Sequence, residues 1–369
     1  MLQKLVRAKT TADKGEIEAA EIICEELGDS GIDCRIDRWD GKRANVVAEV
    51  KSSRKRPGLL FVSHLDVVEA GQDEWTHNPF EAIKKDGKIW GRGAADMKGG
   101  ITAAVTAIKQ VCESGVKLEG DLIFVGAAGE ETDSCGAKRF MQDFGKSGQK
   151  VCGVVLTEPT DFEVVTAHRG MLWLKVKTKG RAAHGSTPQL GVNAIWSMKQ
   201  VLDELERYKI KREPHKILGG CSMSVNTIAG GREINVVPDE CEIKIDIRTV
   251  PSQRNEEIIG DFERILANLK GRNPRFEGDV SIVRQVGALE TDADCDFVRQ
   301  FCAVAGVEGT KAVGFTTDGP HFVPLGAPIV IFGPGKSEVC HKTDEYIALA
   351  DVAKGAEYYK KVIMNFLCG

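Results

Sequence analysis

The sequence has no long apolar run. No stretch is apolar enough, for long enough, to span a bilayer, so a membrane protein is not expected. The start, Met1-Leu2-Gln3-Lys4-Leu5-Val6-Arg7, lacks the apolar core and small-residue cleavage site of a secretory leader. Charge of one sign is never concentrated, and the net charge is only -4, which argues against a nucleic-acid or anionic membrane partner. The 11 cysteines are scattered, odd in number and without a CxxC pair; they read as reduced cytosolic thiols, not a disulfide framework. None lies in a motif beside a base, which argues against a cysteine nucleophile. Gly91-Arg92-Gly93 is glycine-rich, but its spacing fits neither the dinucleotide fingerprint nor the P-loop. There is no internal repeat and no low-complexity segment. The expectation is a cytoplasmic protein.

What remains is an ordinary globular composition, 42% hydrophobic and 28% charged, in 369 residues. That length exceeds one common core and suggests two domains. Residues 15–28 and 99–114 carry helical spacing of apolar positions, and residues 46–50 read as a strand. Residues 58–62, 122–126, 153–156 and 328–332 are short continuous apolar runs, the mark of strands buried on both faces. Strands alternating with helices predict an α/β sheet covered by helices. The middle differs: residues 171–177 and 242–248 alternate polar and apolar, as strands with one wet face do. With helices near 191–208 and 254–269 and a strand at 279–284, the order fits a small open α+β sandwich. A final helix is expected at 349–366. The reading is a discontinuous domain, 1–169 plus 285–369, interrupted by a smaller one at 170–284.

Acidic residues and histidines recur at the ends of the apolar runs. His64 closes the run 58–62, and Asp66 follows; the pair is either a ligand with its orienting carboxylate or a loop histidine beside a helix cap. Asp96 precedes Gly99-Gly100 and a helix; it is a carboxylate able to bridge two ions or an N-cap, and the glycines would let the backbone pass close to a site. Glu130-Glu131 follow the run 122–126; one could serve as ligand and the other as general base. Glu158 follows 153–156, and His341 follows 328–332 and a Gly-Pro-Gly turn. In open α/β sheets ligands bind at the carboxyl ends of the strands. Two histidines and several carboxylates suffice for two metal ions roughly 3.5–4 Å apart plus a free acid/base, a constellation for hydrolysis. His184, in Ala182-Ala183-His184-Gly185-Ser186, stands in the inserted region; His77, His168, His215 and His321 have contexts that suit structural or exposed residues.

These motifs, in this order, closely resemble the M20 family of zinc-dependent amidohydrolases and exopeptidases, over essentially the whole chain. The likeness runs from His64-Leu65-Asp66-Val67-Val68, Trp75 and Pro79-Phe80, through Gly91-Arg92-Gly93 and Asp96-Met97-Lys98-Gly99-Gly100, to His341. It implies a zinc-exopeptidase-like catalytic domain with a mixed sheet, and an inserted ferredoxin-like domain acting as lid and dimerisation surface. It implies that Asp96 bridges two Zn²⁺ ions, with His64 and Glu158 on one and Glu131 and His341 on the other. Co²⁺ or Mn²⁺ could substitute, since nitrogen and oxygen ligands discriminate weakly. Glu130 would be the general base and Asp66 would orient His64. His184 would reach the partner's active site in a homodimer and stabilise the oxyanion. Asn235 and Arg248 resemble the family's substrate contacts, the guanidinium being suited to a carboxylate.

The implied function is cleavage of the N-acyl amide of a small amino acid, in the manner of an acetylornithine deacetylase. Ala167-His168-Arg169-Gly170 and Arg181-Ala182-Ala183-His184 favour that side of the family. The alternatives are a succinyl-diaminopimelate desuccinylase, and a metallocarboxypeptidase or dipeptidase. The run Thr316-Thr317-Asp318-Gly319-Pro320-His321 lacks the arginine that desuccinylases usually carry after Asp-Gly.

Overall fold

The computed structural model describes residues 1–210 and 213–368. The chain divides into two compact units. The first comprises Met1–Thr166, Thr291–Lys311 and the segment from Asp318 onward; the second comprises Ala167–Glu290 and Ala312–Thr317. Residues 312–317, which the sequence reading left in the larger domain, thus group with the smaller one.

The larger unit is built on a mixed sheet, as its apolar runs predict. Its strands lie in the order Asp33–Trp39, Arg43–Val50, Leu122–Ala127, Gly58–His64, Val151–Leu156, Ile329–Ile331, with Ile331 pairing onward to Val165. The four central strands are parallel to one another, and the first two join antiparallel. Gly58–His64 is buried along its whole length because it is paired on both sides and covered on both faces. Helices Gly99–Glu113 and Leu349–Leu367 supply apolar cover, and Phe61 meets the edge of Tyr359 at 5.3 Å. The Tyr359 hydroxyl, fully buried, donates to the Phe332 carbonyl at 2.7 Å. One glycine is required by close approach: a Cβ on Gly100 would stand 2.0 Å from the Thr157 carbonyl oxygen, beside Glu158.

One expectation is overturned. Cys24 and Cys34 form a disulfide, with Cα atoms 5.5 Å apart. Helix Ile17–Gly28 ends, the chain reverses through Gly31, and strand Asp33–Trp39 runs back beside the helix. A separation of 10 residues across a helix–strand reversal resembles no cysteine motif, so the pairing exists only once the chain has folded. The other nine cysteines are free.

The smaller unit runs strand Gly170–Lys179, helix Ala194–Arg207, strands Ser222–Gly230 and Glu240–Thr249, helix Asn255–Arg272, strand Glu277–Val286. Its four strands are antiparallel in the order Ser222–Gly230, Glu240–Thr249, Gly170–Lys179, Glu277–Val286, the ferredoxin-like arrangement. Strict alternation explains the layering. Leu172, Leu174 and Val176 are buried in one cluster with Met198, Val201, Leu205, Phe262 and Leu266, while Lys175 and Lys177 keep to the other face. The Asn193 side chain caps the first helix by accepting from the Ile195 and Trp196 amides. No helix among the described residues is long and apolar enough to cross a membrane.

Candidate metal centre and active site

Parallel pairing puts the candidate residues together. Gly58–His64, Leu122–Ala127 and Val151–Leu156 run side by side in one direction, with His64 level with Ala127 and Val62 level with Leu156. The loops that follow carry Glu130, Glu131 and Glu158 and must therefore emerge along one edge of the sheet. Asp96 arrives from the kinked turn Ala94–Lys98, just ahead of helix Gly99–Glu113. His341 arrives from the loop beyond Ile329–Ile331, in a left-handed backbone conformation with φ 61°.

The two oxygens of Asp96 face different histidines. Oδ1 lies 3.0 Å from His64 Nε2, and Oδ2 lies 3.2 Å from His341 Nε2. Glu158 lies 3.9 Å from the same His64 nitrogen, and Glu131 lies 2.8 Å from the same His341 nitrogen. Three overlapping groups could each hold a metal ion: His64 with Asp96 and Glu158; Asp96 with Glu131 and His341; and His64 with Glu130 and Glu131.

The electrostatics are those of a crowded acid pocket. Burial, with repulsion from Glu131, Asp318 and Glu158, holds the Glu130 carboxyl well above its ordinary range although His64 works the other way. Burial likewise pushes Glu158 up to about 8, with Asp96, Glu131 and Asp318 adding repulsion against the pull of His64. Burial would neutralise His64, but Asp66, Asp96 and Glu158 override it and raise the imidazole well above 6.5. Hydrogen bonds to Asp96 and Glu131 raise His341 to about 10. Asp96 is held below the carboxylate range: the same two histidines outweigh its burial. A set of carboxylate oxygens and imidazole nitrogens carrying excess negative charge, buried around His64 and open at His341, fits divalent cations, and the donor types suit zinc.

Asp66 lies beside His64 and also reaches the glutamate pair. His64 Nδ1 is 3.0 Å from the Asp66 backbone carbonyl, while the carboxylate is 3.6 Å away. That carboxylate accepts the Glu130 amide on one oxygen and the Glu131 amide on the other, both at 3.0 Å. Asp66 therefore meets His64 with its carbonyl and, at 3.6 Å, its carboxylate, while that carboxylate also holds the glutamate pair. Two further buried acids had no role in the sequence reading. Asp318 lies near enough to repel Glu130 and Glu158, and Glu345 binds the backbone of Asp96. Only their position beside motif residues hinted at either.

His184, Asn235 and Arg248 belong to the smaller unit. His184 is exposed, with its Nδ1 2.7 Å from the Ser186 hydroxyl, and the Gly185 amide donates to the Asn235 carbonyl at 2.7 Å. His184 and Asn235 thus occupy adjoining loops. Arg248 is paired with Asp246 two residues earlier on its own strand, at 2.9 Å. Of the remaining histidines, His168 is fully buried, and His215 meets Glu290 at 3.0 Å.

Residues 60–365 match the profile of peptidase family M20/M25/M40. The chain belongs to that family and is a metal-dependent hydrolase. It is 30% identical over 402 aligned positions to a probable succinyl-diaminopimelate desuccinylase of Staphylococcus epidermidis strain ATCC 12228, covering 100% of this chain and 97% of the relative. It is 29% identical to an acetylornithine deacetylase of Myxococcus xanthus, covering 100% and 97%. An M20 family metallo-carboxypeptidase from Sulfolobus solfataricus superposes with a TM-score of 0.80 at 18% identity, covering 98% of this chain and 97% of that one.

Proposed function

We propose that the protein is a two-zinc deacylase that cleaves the N-acyl amide of a small amino acid, acting as an acetylornithine deacetylase does. One observation carries the reading: the two oxygens of Asp96 each face a different histidine, and each histidine has its own glutamate. Asp96, His64 and Glu158 would hold one ion, and Asp96, Glu131 and His341 the other, with Co²⁺ or Mn²⁺ as possible substitutes. When bound, the ions would polarise the scissile carbonyl and lower the pKa of the attacking water toward neutrality. Glu130 takes the proton from that water on its carboxylate and returns it to the departing amine. The Asp66 carboxylate holds the Glu130 amide and so fixes the base in place. Arg248 exchanges Asp246 for the substrate carboxylate, and Asn235 adds a polar contact.

His184 completes the site of a partner copy by donating to the oxyanion, in a cytoplasmic homodimer. What supports the dimer is the edge strand Ser222–Gly230, which is mostly exposed, and the apolar residues on and beside it: Ile228 is 60% exposed, and Ile195, which lies against Gly230, is 38% exposed. A free strand edge with apolar flanks is a ready pairing surface. Mixing His184→Ala and Glu130→Ala subunits is expected to restore activity in the heterodimer; two folded variants that fail to complement would sink the shared site.

Desuccinylation is the second reading, favoured by the name carried by the Staphylococcus relative. The deciding experiment gives zinc-loaded protein equal N-acetyl-L-ornithine and N-succinyl-LL-diaminopimelate, alongside a dipeptide panel, and quantifies the released amines. Preferential ornithine release supports the deacetylase. Preferential diaminopimelate release replaces it with the desuccinylase, and release from dipeptides alone replaces both with a peptidase.

A further inference from the structure

We infer that Glu345, backed by Arg92, is a positioning residue that fixes Asp96 relative to His341 and so gives the centre its capacity for a second ion. This rests on the two-ion reading above. Glu345 is fully buried, but its recorded partners are not the ligand side chains. Its Oε1 accepts the Ala95 amide at 2.9 Å and the Asp96 amide at 3.1 Å, and its Oε2 accepts Arg92 Nη1 at 2.6 Å. Its own carbonyl accepts the Gly91 amide at 2.8 Å. The segment from Gly91 to Asp96 is therefore fastened to one residue at four points. Arg92 is 2% exposed, and its guanidinium lies 5.2 Å from the Trp75 ring centroid.

Glu345 lies four residues beyond His341 on the same loop, so these bonds tie the loop that brings one histidine to the loop that brings the shared carboxylate. The other half of the centre is anchored independently. His64 ends a buried strand, and its Nδ1 is held by the carbonyl of Asp66. Only a carboxylate satisfies the three donors at Glu345, because both of its oxygens accept and neither donates. A glutamine would turn an NH₂ group toward either Arg92 or the two amides and leave a buried donor unmatched. Loss of an outer partner of this kind commonly costs a factor of about 10–100 in metal affinity. The loss should be larger for the ion held by Asp96, Glu131 and His341, because Asp96 and His341 both sit on the segments that Glu345 ties together, whereas the other ion shares only Asp96 and keeps His64 on its buried strand.

The test is a zinc titration of chelator-stripped protein by calorimetry, with folding followed by circular dichroism and thermal melting. Wild type should bind two ions. Glu345→Gln should bind one ion about 10–100-fold more weakly and the other, which shares only Asp96, with a clearly smaller loss. Asp344→Asn is the control: it removes one of the two acceptor oxygens in the exposed tie from the same loop to Thr76, without touching Asp96, and should leave both affinities as in wild type. If Glu345→Gln fails to fold, Arg92→Lys, which removes the forked donor but keeps the charge, should still weaken one ion more than the other. Unchanged affinities in the folded Glu345→Gln or Arg92→Lys variant, or equal losses in Asp344→Asn, would overturn the inference. A wild-type protein that binds fewer than two ions would instead overturn the two-ion reading on which it rests.

Discussion

Two histidines lie almost out of reach of water and have opposite fates. His64 in the larger unit is 3% exposed, and His168 in the smaller is 0% exposed. His168 sits between neutral groups: Nδ1 donates to the Arg169 carbonyl at 2.7 Å, and Nε2 accepts from the Thr317 hydroxyl at 3.1 Å. Burial, unopposed except by that carbonyl, pushes its pKa down to about 4. His64 is as deeply enclosed, yet Asp66, Asp96 and Glu158 raise it well above 6.5. Burial alone makes an imidazole neutral. What makes His64 a candidate ligand is the company of acids, and the same company is what an ion would neutralise.

The sharpest break of this contrast removes the acid that faces the reaction. Glu130→Gln should lower kcat by a factor of about 10²–10⁴ while zinc content stays as in wild type; near-normal turnover with metal bound would refute the assignment of the general base. Next, His64→Ala should lower bound zinc from two ions to one, measured by atomic absorption. His168→Ala should leave zinc content unchanged and cost roughly 2–4 kcal/mol in urea unfolding, because it orphans a buried carbonyl and a hydroxyl. Equal zinc loss in both variants would erase the distinction.

The pH dependence sharpens it further. His168 has a folded pKa of about 4 against an ordinary 6.5, so the unfolded chain takes up the proton first as pH falls. Its contribution is complete above 6.5 and is lost between 6.5 and 4, by roughly 3 kcal/mol in the limit. His168→Gln should flatten that part of the stability profile; an unchanged profile would show that another group governs it. The smallest effect expected is from Tyr359→Phe, which leaves the Phe332 carbonyl without its donor and should cost about 1–2 kcal/mol with the centre intact.

Much of this was legible beforehand, for definite reasons. Gly58–His64 and Leu122–Ala127 announced themselves because a strand covered on both faces must be apolar throughout, and Gly170–Lys179 because one wet face forces alternation. Ser222–Gly230 escaped notice because its alternation at Ser222-Met223-Ser224-Val225-Asn226 is broken by a bulge after Val225 and the strand is mostly exposed. Asp33–Trp39 was missed because its alternating apolar face is short, only Cys34 and Ile36 lying against the core, and the strand is partly exposed. The metal-ligand candidates were visible because each follows an apolar run or opens a helix. Glu345 was invisible in its role because its partners, Arg92 and Asp96, are distant in the chain.

The sequence by itself determined which strands are buried, where their ends fall, and hence which acids and histidines gather along one edge of a sheet. Those properties are local: they follow from periodicity and from the residue that comes after each run. Tertiary structure decided the rest. It gave one Asp96 oxygen to each histidine, shared the Asp66 carboxylate between His64 and the Glu130 and Glu131 amides, joined Cys24 to Cys34, and separated the charge of His64 from that of His168. Each of these depends on distances of a few ångströms between residues remote in the chain, and such distances are set only when the sheet has closed and the loops have packed against it.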